Sequence, residues 1–153
     1  MTYEELAARE EIRELRNAYS NAFDTMDEEA VRANFIDEIV CDYPVAFGGP
    51  IEGVEAVLAL FRDTWAHCSA PLDTIHFIGN HTIRMTGDDT ATGHCLLLDF
   101  VTRQQEGSPI ATMGGHANPM LLIGRYDDEY VRVDGQWKFK RIKLMTAWPV
   151  RAE

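Results

Sequence analysis

Apolar residues recur at helical spacing in two long segments of the first half of the chain. Over 4–23, the residues Ile12, Leu15 and Tyr19 share one helical face in a segment rich in Ala, Glu, Leu and Arg. Over 53–67, a second apolar face is formed by Val54, Val57, Leu58, Phe61 and Trp65. The pattern predicts two amphipathic helices, each with one face available to a core.

The segment between these helices gives shorter signals. Thr25 and Glu28 have the spacing of a capping box, which predicts a short helix from there to about Phe35. Residues 38–45 alternate weakly between apolar and polar side chains and predict a strand. Gly48-Gly49-Pro50 then predicts a turn before the next helix.

The second half of the chain has the period of strands. Four strands are predicted, over 74–85, 90–103, 119–133 and 137–148. Asp134-Gly135 is a strong hairpin signal, and Gly87-Asp88-Asp89 predicts another turn. We expect a polar hairpin tip at 104–109 and a bulge near Gly124. Helices followed by antiparallel strands predict one α+β domain over 1–153, with helices on one face of a sheet.

The other face of this sheet should also be covered. Residues 94–101 are apolar at nearly every position, whereas a strand with one face in water alternates more cleanly. We therefore expect a homo-dimer or homo-trimer that buries the face away from the helices.

Composition narrows the partners. The net charge is -11, from 14 basic and 25 acidic residues, and no cluster of Lys or Arg occurs, so nucleic acid and anionic membranes are poor partners. The cysteines Cys41, Cys68 and Cys95 are isolated, which predicts neither a disulfide framework nor a zinc site. The acidic N-terminal residues lack an apolar signal region, so we expect a cytoplasmic protein.

One imidazole interrupts an apolar strand. His76 lies between Ile75 and Phe77, and a buried histidine needs a partner for its ring nitrogens. Asp24, at the end of the first helix, is the candidate partner. A carboxylate that accepts from one ring nitrogen orients the imidazole and stabilises its cation, as acid–base chemistry requires. The alternative is a hydrogen-bonded histidine of a core or interface.

Two further observations bear on this pair. Tyr19 and Tyr43 could donate to a carbonyl oxygen that becomes negative, or could be ordinary packing residues. On the His76 strand, the odd positions 75, 77, 83 and 85 are the more apolar set, so a site needs His76 on the less apolar face. His76 and His81 are five residues apart and should point to opposite faces. We expect no metal and no cofactor.

Several motifs together resemble the SnoaL-like branch of the nuclear-transport-factor-2-like superfamily. The segments are Tyr19-x-x-x-x-Asp24-x-x-Asp27, Asp42-Tyr43, Thr74-Ile75-His76-Phe77-Ile78-Gly79, Thr90-Ala91-Thr92-Gly93 and Asp134-Gly135-Gln136-Trp137-Lys138-Phe139. The resemblance spans 6–148 and is greatest to scytalone dehydratase, bile-acid 7α-dehydratase and hexachlorocyclohexane dehydrochlorinase. It implies a cone-shaped fold with three helices in the concavity of a curved, mixed or antiparallel sheet.

The resemblance also implies site residues. The Asp–His dyad of these enzymes maps onto Asp24 and His76, the Asp-Tyr pair of scytalone dehydratase onto Asp42-Tyr43, and a helix tyrosine onto Tyr19. The chain departs from these relatives elsewhere: Phe23 replaces a tyrosine, and Val101, Tyr126 and Ile142 replace further site residues. We expect the pocket to be lined by Phe23, Phe61, Trp65, Ile78, His94, Val101 and Tyr126.

Two classes of function follow. The first is a cofactor-independent, dehydratase-like lyase that acts on a small hydrophobic, cyclic carbonyl or hydroxyl compound through Asp24 and His76. A ketosteroid-isomerase-like isomerase or a polyketide cyclase could use the same residues. The second class is a non-catalytic domain that binds a small molecule, which the unmatched pocket residues favour.

Overall fold

The chain forms a six-stranded sheet with three α-helices in residues 1–102 and 120–152, the part that the structure, a computed structural model, describes. The expected hairpin tip at 104–109 lies outside these residues. The elements are α1 Tyr3–Asp24, α2 Glu28–Ala33, β1 Phe35–Asp42, β2 Pro50–Glu52, α3 Val54–Trp65, β3 Thr74–Gly87, β4 Thr90–Val101, β5 Met120–Val133 and β6 Gln136–Trp148. The predicted α+β class is confirmed.

The order of strands in the sheet is β2-β1-β6-β5-β4-β3. Strands β3 to β6 form an antiparallel meander, while β1 pairs with β6 in parallel, so the sheet is mixed. The short strand β2, which the sequence pattern did not indicate, adds to the free edge of β1. Asp134 and Gly135 both have positive φ between β5 and β6, as the predicted hairpin requires. The expected bulge is present as a register shift between Ile123 and Gly124.

The start of α2 differs from the prediction. Asp27 caps this helix by accepting a hydrogen bond from the backbone N–H of Ala30. Thr25 instead closes α1, because its hydroxyl donates to the carbonyl of Asn21. Phe35, expected at the end of α2, already begins β1. The prediction that Thr25 opens α2 is therefore wrong: Thr25 ends α1, and Asp27 is the N-cap of α2.

An aromatic cluster joins the helices to the sheet. The Tyr19 ring lies 5.5 Å from the rings of both Phe35 and Phe139, and Phe23 meets Phe61 edge-on at 4.8 Å. Tyr19, which is predicted for the apolar face of α1, therefore packs against β1 and β6, and Phe23 packs against α3. This packing fixes the C-terminal half of α1, which carries Asp24.

A bulge divides β3 into two halves. Even-numbered positions point to the inner face of the sheet before the bulge, and odd-numbered positions do so after it. The pairing with β4 shifts between Gly79 and Thr82, and Asn80 adopts a positive φ of 53°. Before the bulge the even position His76 faces the helices, while after it the odd position Ile83 is buried there. The bulge explains why the apolar odd-numbered positions of this strand do not all lie on one face of the sheet. It also means that the expectation of His76 and His81 on opposite faces is wrong, since His81 faces inward toward Tyr130.

The outer face of the sheet exposes apolar side chains in the region of β3 and β4. Phe77 is 63% exposed and Leu96 46% exposed, and Phe77 pairs across the strands with Leu98. These side chains leave apolar surface uncovered on the outer face of the single chain. Among the described residues, no helix is long and apolar enough to cross a membrane.

Candidate active site

A cavity of about 440 Å³ opens between the helices and the inner face of the sheet. Pockets of this size suit small organic ligands. Seven of the predicted site residues line it: Tyr19, Phe23, Tyr43, Phe61, His76, Val101 and Tyr126. Its remaining walls come from α3, the 46–48 turn and β5, and are mostly apolar.

Asp24 holds His76 through two hydrogen bonds. Its Oδ1 accepts from His76 Nδ1 at 2.6 Å, and its Oδ2 accepts from the backbone N–H of His76 at 2.8 Å. Asp24 is buried and lies behind the imidazole, outside the cavity lining. Because a carboxylate accepts at Nδ1, that nitrogen carries a proton and Nε2 is free to face the cavity.

A second carboxylate stands at the other ring nitrogen. Asp99 Oδ2 lies 3.7 Å from His76 Nε2, and the pairing of β3 with β4 places the two residues directly opposite each other. Asp99 Oδ1 is buried without a hydrogen-bond partner among the described residues. Burial raises the pKa of Asp99, and the nearby Asp24 adds to this, although the His76 charge opposes it. Asp99 therefore brings an unused acceptor to the reactive face of the imidazole.

The surroundings of His76 favour its charged form. Burial is the largest single influence and lowers its pKa, but the hydrogen bond that His76 donates to Asp24 and the charges of Asp99 and Asp24 together raise the pKa above its usual value of 6.5. The Phe23 ring packs edge-on against the imidazole at 5.0 Å and restricts its rotation. The result is a fixed imidazole of increased basicity.

Three phenols also line the cavity. Tyr19, Tyr43 and Tyr126 are each buried, and burial raises the pKa of all three above the ordinary tyrosine value. They therefore keep their protons at physiological pH and act as hydrogen-bond donors.

Beneath the cavity lies a second ionic cluster, formed by Arg16, Asp128 and Tyr130. Arg16 is fully buried, and its Nε lies 3.6 Å from Asp128 Oδ2. The Tyr130 hydroxyl donates to the same carboxylate at 2.8 Å, and His81 Nε2 lies 3.2 Å from that hydroxyl. The Arg16 guanidinium stacks 3.6 Å from the centre of the Tyr126 ring. None of these residues except Tyr126 lines the cavity.

Comparison with known proteins places this architecture in a family. The SnoaL-like domain family matches residues 4–143. The chain belongs to the SnoaL-like family. This membership confirms the resemblance drawn from its motifs, and the fold agrees, since the solved neighbours include proteins of the nuclear-transport-factor-2-like and cystatin-like folds.

Individual relatives of this SnoaL-like chain have diverse names. Terrestric acid biosynthesis cluster protein E of Penicillium crustosum is 30% identical over 129 residues, covering 83% of this chain and 75% of the relative. A candidate scytalone dehydratase of Novosphingobium aromaticivorans is 25% identical, with a TM-score of 0.78 over 99% of this chain and 95% of its own. A hexachlorocyclohexane dehydrochlorinase of Novosphingobium barchaimii shares the fold with a TM-score of 0.74 and 20% identity, over 97% of this chain and 92% of its own.

Three residues predicted to line the pocket do not lie in its wall. His94 is on the outer face of β4, where its Nε2 pairs with the Thr82 hydroxyl at 2.8 Å, because the inward positions of that strand are odd-numbered. Trp65 packs behind the wall and donates from Nε1 to the Phe23 carbonyl at 3.0 Å. Ile78 faces inward but packs against the core instead of the cavity.

Sequence reasoning missed Asp99 and the residues His67 and Cys68, which also line the cavity. A signal for Asp99 was present. Val101, which the resemblance placed in the pocket, has the same strand parity as Asp99, so both side chains should point to the same face. Among the described residues, no group of three or more His, Cys, Asp or Glu side chains is arranged to hold a metal ion.

Proposed function

We propose that this protein is a cofactor-independent lyase that eliminates water from a small, uncharged, cyclic β-hydroxy carbonyl compound. The carrying observation is the geometry of His76, whose Nδ1 is held by Asp24 while Nε2 faces the cavity beside Asp99. This arrangement presents a base of increased strength to whatever occupies the cavity.

His76 Nε2 removes the proton from the carbon next to the carbonyl. The Nδ1 proton stays in its hydrogen bond to Asp24, whose negative charge stabilises the imidazolium that forms. The electron pair of the broken C–H bond moves toward the carbonyl and gives an enolate. A phenol of the cavity wall donates a hydrogen bond to the enolate oxygen.

Asp99 positions the leaving hydroxyl. Its unpartnered Oδ1 accepts a hydrogen bond from that hydroxyl and so keeps it near Nε2 of the imidazolium. His76 then returns its proton to the leaving oxygen, the C–O bond breaks, and the enolate collapses to a conjugated enone. One proton moves from carbon to oxygen, water departs, and His76 is neutral again.

The cavity supports an uncharged substrate. Among the residues that line it in the described part of the chain, none is Lys or Arg, while Asp99 places a carboxylate at the reactive end. A substrate carboxylate near Asp99 would therefore meet a like charge, with no Lys or Arg in the described cavity wall to compensate for it. The apolar rings of Phe23, Phe61 and Phe47 suit a compact hydrophobic ring system.

Relatives add support for elimination chemistry. One solved neighbour is named as a candidate scytalone dehydratase and another as a hexachlorocyclohexane dehydrochlorinase, and both names describe eliminations, of water and of hydrogen chloride. The biosynthesis-cluster relative is consistent with action on a small metabolite. These are properties of the relatives, and they favour the lyase reaction over simple binding for this chain.

A panel of neutral cyclic β-hydroxy ketones tests the proposal. Loss of water gives an enone with strong ultraviolet absorbance, and mass spectrometry confirms the loss. Parallel incubations with β,γ-unsaturated ketones in deuterium oxide detect isomerisation, which would use the same base without releasing water. His94→Ala is the matched control for His76→Ala, because His94 is an exposed histidine of the same sheet outside the cavity.

The lyase proposal expects enone formation in the wild type and in His94→Ala, and its loss in His76→Ala. Conversion of β,γ-unsaturated ketones without any dehydration would replace the lyase by an isomerase. Binding of panel members without turnover in any of these proteins would contradict catalysis and leave a binding domain.

We also propose that the outer face of the sheet mediates self-association. The exposed apolar patch that includes Phe77 and Leu96 supports this, since its burial would remove a large apolar area from water. Analytical ultracentrifugation at micromolar concentration should show a dimer or trimer, and Phe77→Glu should shift it toward monomer. A wild-type monomer under these conditions would contradict the proposal.

A further inference from the structure

The buried Arg16 guanidinium lies beside the weak acceptor Cys95 and makes no close hydrogen bond to an oxygen or nitrogen in the described part of the chain. Its Nε, Nη1 and Nη2 atoms are all buried without a hydrogen-bond partner there, and its 3.6 Å approach to Asp128 is an ion pair with poor geometry. A buried cation that only stabilised the fold would be expected to use its donors, because each unsatisfied group is costly.

Arg16 lies outside the cavity lining but directly behind one of its wall residues, Tyr126. Along β5, Leu122 and Tyr126 line the cavity, whereas Asp128 lies one alternation further along the same face and does not. The guanidinium stacks on the Tyr126 ring, while its counter-charge on Asp128 lies further along the strand, where Tyr130 also binds it. The ion pair therefore forms a dipole under the cavity floor with its positive end toward Tyr126.

Tyr126 is the cavity phenol on which this dipole acts most directly. Arg16 lies 3.6 Å from the centre of the Tyr126 ring but 5.2 Å from that of Tyr19. A cation against the ring face stabilises negative charge that is transferred toward the phenol oxygen, which makes the hydroxyl a stronger donor. No hydrogen bond to the Tyr126 hydroxyl is seen among the described residues, so this donor is available to a ligand.

We propose that Tyr126 is the donor that receives the negative oxygen of the enolate, and that Arg16 is a positioning residue that strengthens this donor from beneath. The inference deepens the proposed elimination and rests on it. It assigns the carbonyl end of the substrate to Tyr126 on β5, and not to Tyr19 or Tyr43, the two tyrosines that the sequence indicated. It also predicts a preference for ligands that carry an oxyanion in this place.

Burial and two carboxylates oppose a negative charge on the Tyr126 oxygen. Asp99 on β4 and Asp128 on β5 both disfavour a negative oxygen there, and burial of Tyr126 does so most strongly, raising its pKa. Arg16 acts in the opposite direction and is the cation that offsets them on Tyr126. Its removal should therefore be felt by any anionic oxygen held at the Tyr126 hydroxyl.

Ionisation of bound 4-nitrophenol tests this inference without requiring turnover. The phenolate absorbs at longer wavelength than the phenol, so an absorbance titration of the saturated complex gives the ionisation constant of the bound probe. In the Arg16→Met/Asp128→Asn double variant, which removes both charges and keeps an acceptor for Tyr130, this constant should fall roughly tenfold. Arg16→Lys keeps the cation and should restore most of the wild-type value.

Tyr126→Phe provides a second variant that changes little else, because it deletes one hydroxyl at the cavity wall. It should lower the ionisation constant of the bound probe, and in its background the double substitution should have little further effect. Equal constants in the wild type and the double variant, an undiminished effect without the Tyr126 hydroxyl, or failure of the wild type to bind the probe would each overturn the inference. The proposed elimination is tested separately by enone formation, so the two failures are distinguishable.

Discussion

Two ionic clusters lie on the inner face of the same sheet, and both contact α1. One, formed by Asp24, His76 and Asp99, borders the cavity. The other, formed by Arg16, Asp128 and Tyr130, is sealed beneath it. Both contain buried carboxylates beside a cation or a group that can become one, so burial alone does not distinguish a reactive site from a structural one.

Access and hydrogen bonding distinguish the two clusters. In the open cluster both oxygens of Asp24 are bonded. Within residues 1–102 and 120–152, His76 Nε2 and Asp99 Oδ1 have no hydrogen-bond partner, and both residues line the cavity. In the sealed cluster the unused donors of Arg16 are enclosed. The first arrangement can exchange a proton with a ligand, while the second can act on a ligand only through its electric field.

Removal of the His76 imidazole should give the largest difference between the two clusters in their effect on activity. His76→Ala should lower the rate of enone formation by roughly 10²- to 10⁴-fold, the range typical of a general acid–base residue. Its melting temperature should fall less than that of Arg16→Met, because Asp24 keeps its hydrogen bond from the backbone N–H of residue 76 and Asp99 lies at the cavity wall. Thermal unfolding by circular dichroism and the enone assay measure both effects. A large loss of stability with unchanged relative activity would make His76 a core residue.

Disruption of the sealed ion pair should mainly affect stability. Arg16→Met should reduce the free energy of unfolding by about 3–5 kcal/mol, since it leaves the Asp128 carboxylate buried without its cation. The Arg16→Met/Asp128→Asn double variant should recover most of this loss, because neither charge remains. Urea denaturation of the three proteins measures it. A double variant no more stable than Arg16→Met would show that the packing of the Arg16 side chain, not the charge, is what matters.

The pH dependence of the open cluster should show a smaller effect. His76 must be neutral to act as a base, and its pKa lies above the usual 6.5, so activity at low substrate should rise with pH through a midpoint above that value. Below the midpoint the imidazolium forms and activity is lost. Asp99→Asn removes a charge that favours the imidazolium, so the midpoint should move to lower pH by about one unit. Profiles of kcat/KM for both proteins test this, and an unmoved midpoint would contradict the role of Asp99.

Much of the architecture was accessible from the sequence. The helices α1 and α3 and the strands β3 to β6 follow from clear periodicity, and the Asp134-Gly135 hairpin follows from its turn chemistry. The short β2 strand could not be predicted, because a three-residue edge strand has no measurable period. The parallel pairing of β1 with β6 could not be predicted either, because strand order depends on contacts distant in sequence.

The candidate site was predictable where a motif or a polar interruption identified it. His76 interrupts an apolar strand, and its hydrogen bond to Asp24 is present as expected. Asp99 was hidden in the apolar run Leu96-Leu97-Leu98-Asp99-Phe100, where alternation is weak. Arg16 was indistinguishable from the solvated arginines of a charged helix, although it lies on the stripe between Ile12 and Tyr19. Burial of a charge depends on its partner, and Asp128 is 112 residues away.

The bulge at Asn80 lets one strand serve two purposes that a regular strand could not combine. Its first half presents His76 to the cavity, and its second half presents Ile83 to the core, although the two halves are continuous in sequence. The extra residue separates the in–out alternation of one half from that of the other. Side chains in the half that borders the cavity can therefore change without altering the alternation that stabilises the other half. Deletion of Asn80 would impose one in–out alternation on the whole strand. Either His76 would then point to solvent while Ile83 stays in the core, or Ile83 would leave the core while His76 keeps its position.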